Sequence, residues 1–535
     1  MSHAPNDDLS NTYPQTWVRI PAKARSQLRS LCANPGDLPH FLDTLMEEYC
    51  LPQYLPEMAE LEAAVLECRR SATRMDKHPN TLGLNPSLSM FQLQFVGLLD
   101  LLNSGQDPKA DPQEDSLSGE AGTGLLWWDP FREKVRLEPA RNEDLLVLKI
   151  VAEELDVREI GEQQGITPSR LYTLIQRAKN KGLVLGPASR LQRPREVVSG
   201  KSSRFEEHQT AEVFTLQWHL TDACDMHCRH CYGGGTARQH VEKEEAFRVL
   251  QDTARFCRQK NVRGQITFTG GNPIMHPDFF QIYEAAVQEG FLVAILGNPT
   301  DAETLERLVA IEPPVLFQVS LEGMREHNDH IRQEGHFDRV LEFLDLLREH
   351  GVPSQVMLTL TRANIEQVLP LAEVLRGRAD RFTFNRISLV GEGASLRPPD
   401  MESYQSFLQE YLEATRTNPI LRLKDNLLNP ALAARGEKPF GGCTGYGCGA
   451  AFNFLALLPN GAVHACRKFP SPLGDIHTNN LSGIYDSSIA AAYRSAPQEC
   501  LDCSLAPVCR GCLAVVHSWG KDVFRERDPY CSAKF

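Results

Sequence analysis

The chain has 535 residues, 42% of them hydrophobic and 23% charged, with 56 Lys and Arg against 69 Asp and Glu for a formal net charge of −13. At ~150 residues per domain there is room for three or four domains. The composition excludes bulk disorder, and the acidic balance argues against a general nucleic-acid binder.

No apolar run approaches the ~18 residues of a transmembrane helix, and the first residues carry neither the basic nor the apolar stretch of a secretory signal. The expectation is a cytoplasmic protein with no membrane contact. The unusual count is 15 Cys. In a reducing compartment these are not expected to be disulfides, so their spacing has to say what they are.

In chain order, residues 1–104 read as a helical domain, with Phe41, Leu42 and Leu45, then Leu55, Met58, Leu61 and Val65 at helical spacing. Cys32, Cys50 and Cys68 fall in this text without close partners and read as small apolar side chains, as does Cys257. Residues 105–124, rich in Gly, Pro, Ser, Asp and Glu, read as a linker.

Residues 125–194 look like a helix-turn-helix, or winged-helix-like, domain. Val157 to Gln164 suits a first helix, Gly165-Ile166-Thr167-Pro168 the turn, and Ser169 to Lys181 the second helix. That second helix carries Arg170, Arg177, Lys179 and Lys181 and no acid. A recognition helix for DNA, a docking face for an acidic peptide and a merely solvated basic face all fit it.

From Val213 the text alternates. Strands are expected at 213–220, 265–269, 292–296, 315–321, 355–360 and 382–390, with helices between them and after the last. Six βα units imply a parallel sheet, open or a partial barrel, with chemistry at the C-terminal ends of its strands. The loop after the first strand is Cys224-x3-Cys228-x2-Cys231. Three thiolates leave a 4Fe–4S cluster one ligand short and so one iron open to a small molecule. A structural zinc completed by His227 or His230 is the alternative.

Cys224, Cys228 and Cys231 followed by Tyr232 resemble the radical SAM superfamily. A second mark is Thr269-Gly270-Gly271-Asn272-Pro273, similar to the family's Gly-Gly-Glu-Pro, which holds the SAM amino group; Asn stands here in place of Glu. A third is Ser320-Leu321-Glu322-Gly323 with Arg332 beyond it. The resemblance implies a partial (β/α)6 TIM barrel over residues 213–390 and SAM contacts from Tyr232, Gly270, Gly271, Asn272, Pro273, Asn298, Ser320 and Arg332. In that reading Arg332 takes the carboxylate, a group its planar guanidinium suits.

Cys443, Cys448, Cys466, Cys500, Cys503, Cys509, Cys512 and Cys531 fill the tail. They resemble the SPASM iron–sulfur domain, placed here over 391–535, although the x2 between Cys509 and Cys512 departs from the family's x3. The resemblance implies one auxiliary cluster on Cys443, Cys448, Cys466 and Cys512 and a second on Cys500, Cys503, Cys509 and Cys531, three 4Fe–4S clusters in all. Two zinc sites satisfy the same count.

The implied enzyme cleaves S-adenosylmethionine reductively to a 5′-deoxyadenosyl radical and abstracts hydrogen from a ribosomally made precursor peptide. A leader would dock on 125–194, and a ferredoxin or flavodoxin would donate electrons. No catalytic residue beyond the cluster ligands is assigned.

The segment Leu55–Glu62 and Pro187-Ala188-Ser189-Arg190-Leu191 resemble the thio(seleno)oxazole-modification radical SAM maturases. Two alternatives are an anaerobic sulfatase-maturating, formylglycine-generating enzyme and a DNA-binding iron–sulfur redox regulator. The former carries Asp where Arg467 follows Cys466.

Overall fold

The computed structural model describes residues 9–32, 34–71, 75–104, 117, 121–194, 203–233 and 239–533. It divides into two compact units, one running to Ile166 and including Arg170–Ala188, the other holding Thr167–Ser169 and Ser189 onward.

In the first unit, helices including Leu38–Tyr49 and Leu55–Ser71 close over a core. Leu38, Leu42 and Leu45 recur at helical spacing and bury against Leu55, Met58 and Leu61. The text to residue 104 is not helical throughout. Strands β1 (Gly83–Leu84) and β2 (Ser89–Leu93) interrupt it.

Strand β2 pairs antiparallel with β3 (Gly122–Asp129), and β3 with β4 (Lys134–Pro139), in the order β2-β3-β4. Most of the expected linker lies outside the described residues, but Gly122-Thr123-Gly124 opens β3. A Cβ on Gly124 would stand 2.7 Å from the Leu93 side chain, so this glycine marks close packing rather than a loop.

Helices Asn142–Ala152, Val157–Gln164 and Pro168–Lys181 follow the sheet, and β5 (Val184–Leu185) returns to pair with β1. Asp156 caps the middle helix by accepting from the N–H groups of Arg158 and Glu159 at 2.7 and 3.1 Å. Gly165, at φ 64°, ends it.

The last helix is not the bare basic face its sequence suggests. Arg170 and Arg177 lie 3.3 and 2.6 Å from Glu143, and Lys181 lies 3.1 Å from Asp144. The missing acids come from the helix Asn142–Ala152.

The second unit is built on one nine-stranded sheet of order β11-β10-β9-β8-β7-β6-β12-β13-β14. Strands β6 (Val213–Thr221), β7 (Arg263–Gly270), β8 (Leu292–Leu296), β9 (Leu316–Ser320), β10 (Ser354–Leu360) and β11 (Arg381–Arg386) are parallel and consecutive. Each of the first five leads through a helix to the next, as parallel neighbours require. This is the partial barrel.

Phe214, Trp218, Phe268 and Phe317 pack outward into the core with the helices. Alternation sends Gln217, His219, Thr267, Thr269 and Gln318 to the other face. Strand β12 (Phe454–Leu457) adds parallel to β6, and β13 (Ala462–His464) and β14 (Pro472–Asp475) continue antiparallel. Among the described residues no helix is long and apolar enough to cross a membrane.

Candidate functional site: three cysteines at the end of the first barrel strand

Thr221 ends β6, and its Oγ1 accepts from the N–H of Ala223 at 2.9 Å, turning the chain into the loop of Cys224, Cys228 and Cys231. The loop is tied down from several sides. Arg229 N donates to Ile331 O, and Cys231 O accepts from Glu392 N, both at 2.9 Å.

Two further bonds come from the end of β7: Gly271 N to Thr221 O at 2.8 Å and Asn272 N to Ala223 O at 2.7 Å. That approach demands the two glycines. A Cβ on Gly270, at φ 131°, would overlap Thr221 O, and one on Gly271 would overlap Ala223 O.

Of the expected SAM contacts, Gly270, Gly271, Asn272, Asn298 and Arg332 lie against this loop. Asn272 and Asn298 are both buried, and both donate through Nδ2 to Asp225 Oδ1, at 3.1 and 2.7 Å. Asn298 Nδ2 also stands 3.7 Å from Cys224 Sγ. Asn272 Oδ1 is buried with no hydrogen-bond partner among the described residues.

Ser320 ends β9, and Tyr232 lies 5.9 Å from the His219 ring. Arg332 is held by Glu322, with Nη2 and Nε at 2.6 and 3.0 Å from Oε1, and its Nη1 stands 3.7 Å from Cys228 Sγ. Glu322 is 1% exposed. Burial pushes its carboxyl upward, but His230 and Arg332 outweigh that and hold it below the ordinary value.

Sequence reasoning passed over Asp225 and His219, and quoted Glu322 only as motif text. His219, 6% exposed on the inner face of β6, is pushed down to about 3 by burial, then by Arg467 and His464. Its Nε2 has no partner among the described residues. Arg467 donates to Thr269 Oγ1 at 3.1 Å, linking the residue after Cys466 to the end of β7.

The tail cysteines fall into two neighbourhoods. Cys443 and Cys466 each feel the charges of Cys448 and Cys512. Cys500, Cys503, Cys509 and Cys531 line one pocket together with Arg510 and Asp528. Burial, then the neighbouring Cys503 and Cys531, pushes the Cys500 thiol up to about 12.

Among the described residues no three Cys, His, Asp or Glu donors converge closely enough for a single metal ion. A zinc ion holds its sulfur ligands about 2.3 Å from one point, whereas a cubane spreads its ligands over four irons. The charges also fit a cluster. Arg193 and Arg510, 5% and 3% exposed, have no carboxylate partner among the described residues and sit beside Cys448.

Residues 218–375 match the family model described as the radical SAM superfamily, and 448–513 that of the SPASM iron–sulfur cluster-binding domain. The chain is 25% identical to the AdoMet-dependent heme synthase of Methanosarcina barkeri over 345 residues, 59% of this chain and 95% of that protein. It is also 25% identical to AlbA of Bacillus subtilis, an antilisterial bacteriocin subtilosin biosynthesis protein, over 55% of this chain and 65% of the relative. A crystal structure of SuiB from Streptococcus suis bound to S-adenosylmethionine is similar over 77% of this chain and 97% of that one, with 17% identity and a TM-score of 0.49.

Proposed function

We propose that this chain, an enzyme carrying a radical SAM domain and a C-terminal SPASM domain, modifies a ribosomally made precursor peptide. Cys224, Cys228 and Cys231 would hold a 4Fe–4S cluster with one iron left for S-adenosylmethionine, a pair that, given one electron, would supply the radical chemistry for hydrogen abstraction from the substrate. The protein's own part is placement. Gly270 and Gly271 let the β7 end lie against the cysteine loop, Asn272 offers a bare carbonyl, and Arg332, braced by Glu322, reaches toward Cys228.

Two auxiliary clusters on Cys443, Cys448, Cys466 and Cys512 and on Cys500, Cys503, Cys509 and Cys531 complete the set of three. A ferredoxin or flavodoxin of the cytoplasm supplies the electrons.

The observation that carries the peptide reading is the first unit. Its antiparallel sheet ends in β4, which has β3 on one side and no strand on the other among the described residues. Asn103 Nδ2 already donates to Leu137 O on that edge at 2.6 Å, so an extended peptide added there would pair with the main-chain groups that remain. A leader docked there needs no basic helix, which is as well, since Glu143 and Asp144 offset half of that charge. The same offset weakens the case for a DNA-reading helix. AlbA, by its name, belongs to bacteriocin biosynthesis, and Arg467 in place of the Asp base separates this chain from sulfatase maturation.

The test is direct. Anaerobically reconstituted full-length protein, SAM and a reductant are incubated with synthetic peptides encoded by neighbouring short reading frames. A peptide-dependent mass change with 5′-deoxyadenosine formation is expected. Modification of a sulfatase-derived Cys peptide instead would overturn the assignment.

A further inference from the structure

The chain carries 69 Asp and Glu against 56 Lys and Arg, so its basic groups have acids to spare. Three cations of the tail go without. Arg467 and Lys468 directly follow Cys466, and Lys424 precedes Cys443. All three are half-buried, and none forms an ion pair with a carboxylate among the described residues.

Two of them are placed by neutral groups at the C-terminal ends of barrel strands. Arg467 Nη1 donates to Thr269 Oγ1, near the end of β7, at 3.1 Å, and Lys468 Nζ donates to the carbonyl of Arg386, the last residue of β11, at 3.0 Å. Such strand ends are where a parallel α/β fold gathers its chemistry. Lys424 lies in the same field. Burial pushes its amine down, Cys443 draws it up, and Arg467 and Lys468 push it down again. Like charges held together cost free energy that an anion in their field recovers.

Arg467 also has the inner face of the barrel for a neighbour. Its guanidinium carbon lies 5.9 Å from the centre of the Tyr232 ring, and that ring lies 5.9 Å from the ring of His219. His219 is the register partner of Thr269 and is 6% exposed. Its Nε2 has no partner among the described residues, an unpaired buried atom of the kind a polar ligand satisfies.

We propose that Arg467, supported by Lys424 and Lys468, binds a carboxylate of the substrate, and so selects a peptide with an acidic side chain or a free C-terminus near the residue to be modified. This rests on the reading that the chain modifies a peptide. A guanidinium is planar, stays charged and gives a carboxylate two parallel hydrogen bonds. Thr269 takes Nη1, which leaves Nε and Nη2 for that purpose. A charge-assisted contact of this kind is worth roughly 10- to 100-fold in affinity.

The test uses four N-acetylated tripeptides: Gly-Glu-Gly amide, Gly-Gln-Gly amide, and Gly-Gly-Gly as free acid and as amide. Each is titrated into the anaerobically reconstituted full-length protein, with SAM in excess so that the place of its own carboxylate is filled. Binding is read by saturation-transfer NMR, and iron is measured on every sample. At least one acid is expected to bind roughly 10- to 100-fold more tightly than its neutral counterpart. A preference within the Glu and Gln pair identifies a side-chain carboxylate, and one within the Gly-Gly-Gly pair a C-terminus. Arg467→Gln is expected to abolish the preference at unchanged iron content, and Arg467→Lys, which keeps the charge, to retain part of it.

Equal binding of acid and neutral peptide in both pairs, or no binding at all, overturns the proposal. So does a preference that survives Arg467→Gln. Loss of iron in that variant overturns it too, since it makes Arg467 a support of the neighbouring cysteines. A preference for acids in a protein that modifies no peptide counts against the peptide chemistry and leaves the carboxylate site standing.

Discussion

Arg193 and Arg510 donate to the same three backbone carbonyls. Arg193 reaches Arg494 O, Tyr446 O and Cys448 O at 3.1, 2.8 and 2.6 Å, and Arg510 reaches the first two at 3.0 and 2.8 Å and the third as well. Burial pulls Arg510 down to about 10, which still leaves it charged at neutral pH, and burial and then Arg510 lower Arg193. Cys448, Cys509 and Cys500 are the sulfurs in reach, and they would be anionic once they hold a cluster.

A cation held there favours the more negative, reduced form of a neighbouring cluster. Arg510→Gln is therefore expected to make reduction of an auxiliary cluster at least tenfold less favourable, a drop of about 59 mV for a one-electron couple. Potentiometric EPR titration of wild type and variant reads it directly, and unchanged potentials would remove the electrostatic role.

Iron content separates the three cysteine groups. Anaerobic reconstitution is expected to load about twelve irons per chain, from three cubanes. Replacing Cys224, Cys228 and Cys231 with Ala should lower that to about eight and abolish 5′-deoxyadenosine formation. A wild-type content of eight or fewer would mean that one tail group is not a cluster site.

The Glu322–Arg332 pair is a structural prediction in its own right. Its side chains are 2% and 9% exposed, and Glu322 also accepts from Thr359 N at 2.7 Å. Removing one charge of a buried pair leaves the other uncompensated, at about 3–5 kcal/mol. Glu322→Gln should lose that much in urea unfolding, and a Glu322→Gln/Arg332→Met double variant should recover part of it. Equal losses in the single and double variants would argue against coupling.

Acid sensitivity has one identifiable source in His336. Burial first, then Arg332 and Arg339, pushes it from 6.5 down to about 3. Its Nδ1 accepts from Asn328 Nδ2 at 3.2 Å, a bond only the neutral ring makes. Between these two values the unfolded chain takes up a proton that the folded chain refuses. The contribution is thus complete above pH 6.5 and is lost progressively as the pH falls toward 3. Down to pH 5 that is about 2 kcal/mol. His336→Gln keeps an acceptor and does not titrate, so its stability should fall less between pH 7 and pH 5. Parallel denaturation curves for the two proteins at both pH values would refute this.

The barrel was legible because its signals are local. The strand expected at 292–296 is β8, and the others begin within two residues of their observed starts. The last strand stops at Arg386, not 390, where its neighbour β10 ends at Leu360 and the ladder runs out.

What the sequence hid is non-local. Ser89–Leu93 becomes a strand only by pairing with Gly122–Asp129, far along the chain. The basic helix looked unpaired because its acids sit on another helix. Asp225 reads as an ordinary loop residue until Asn272 and Asn298, from the ends of two other strands, arrive at its carboxylate.

Strand β12 carries one further consequence. Phe454–Leu457 runs in register with Thr215–Trp218, so the tail region is hydrogen-bonded into the same ladder as the first barrel strand. Arg467 and Cys224 are therefore parts of one continuous backbone framework. A jaw that swings open between barrel and tail would have to unzip that ladder.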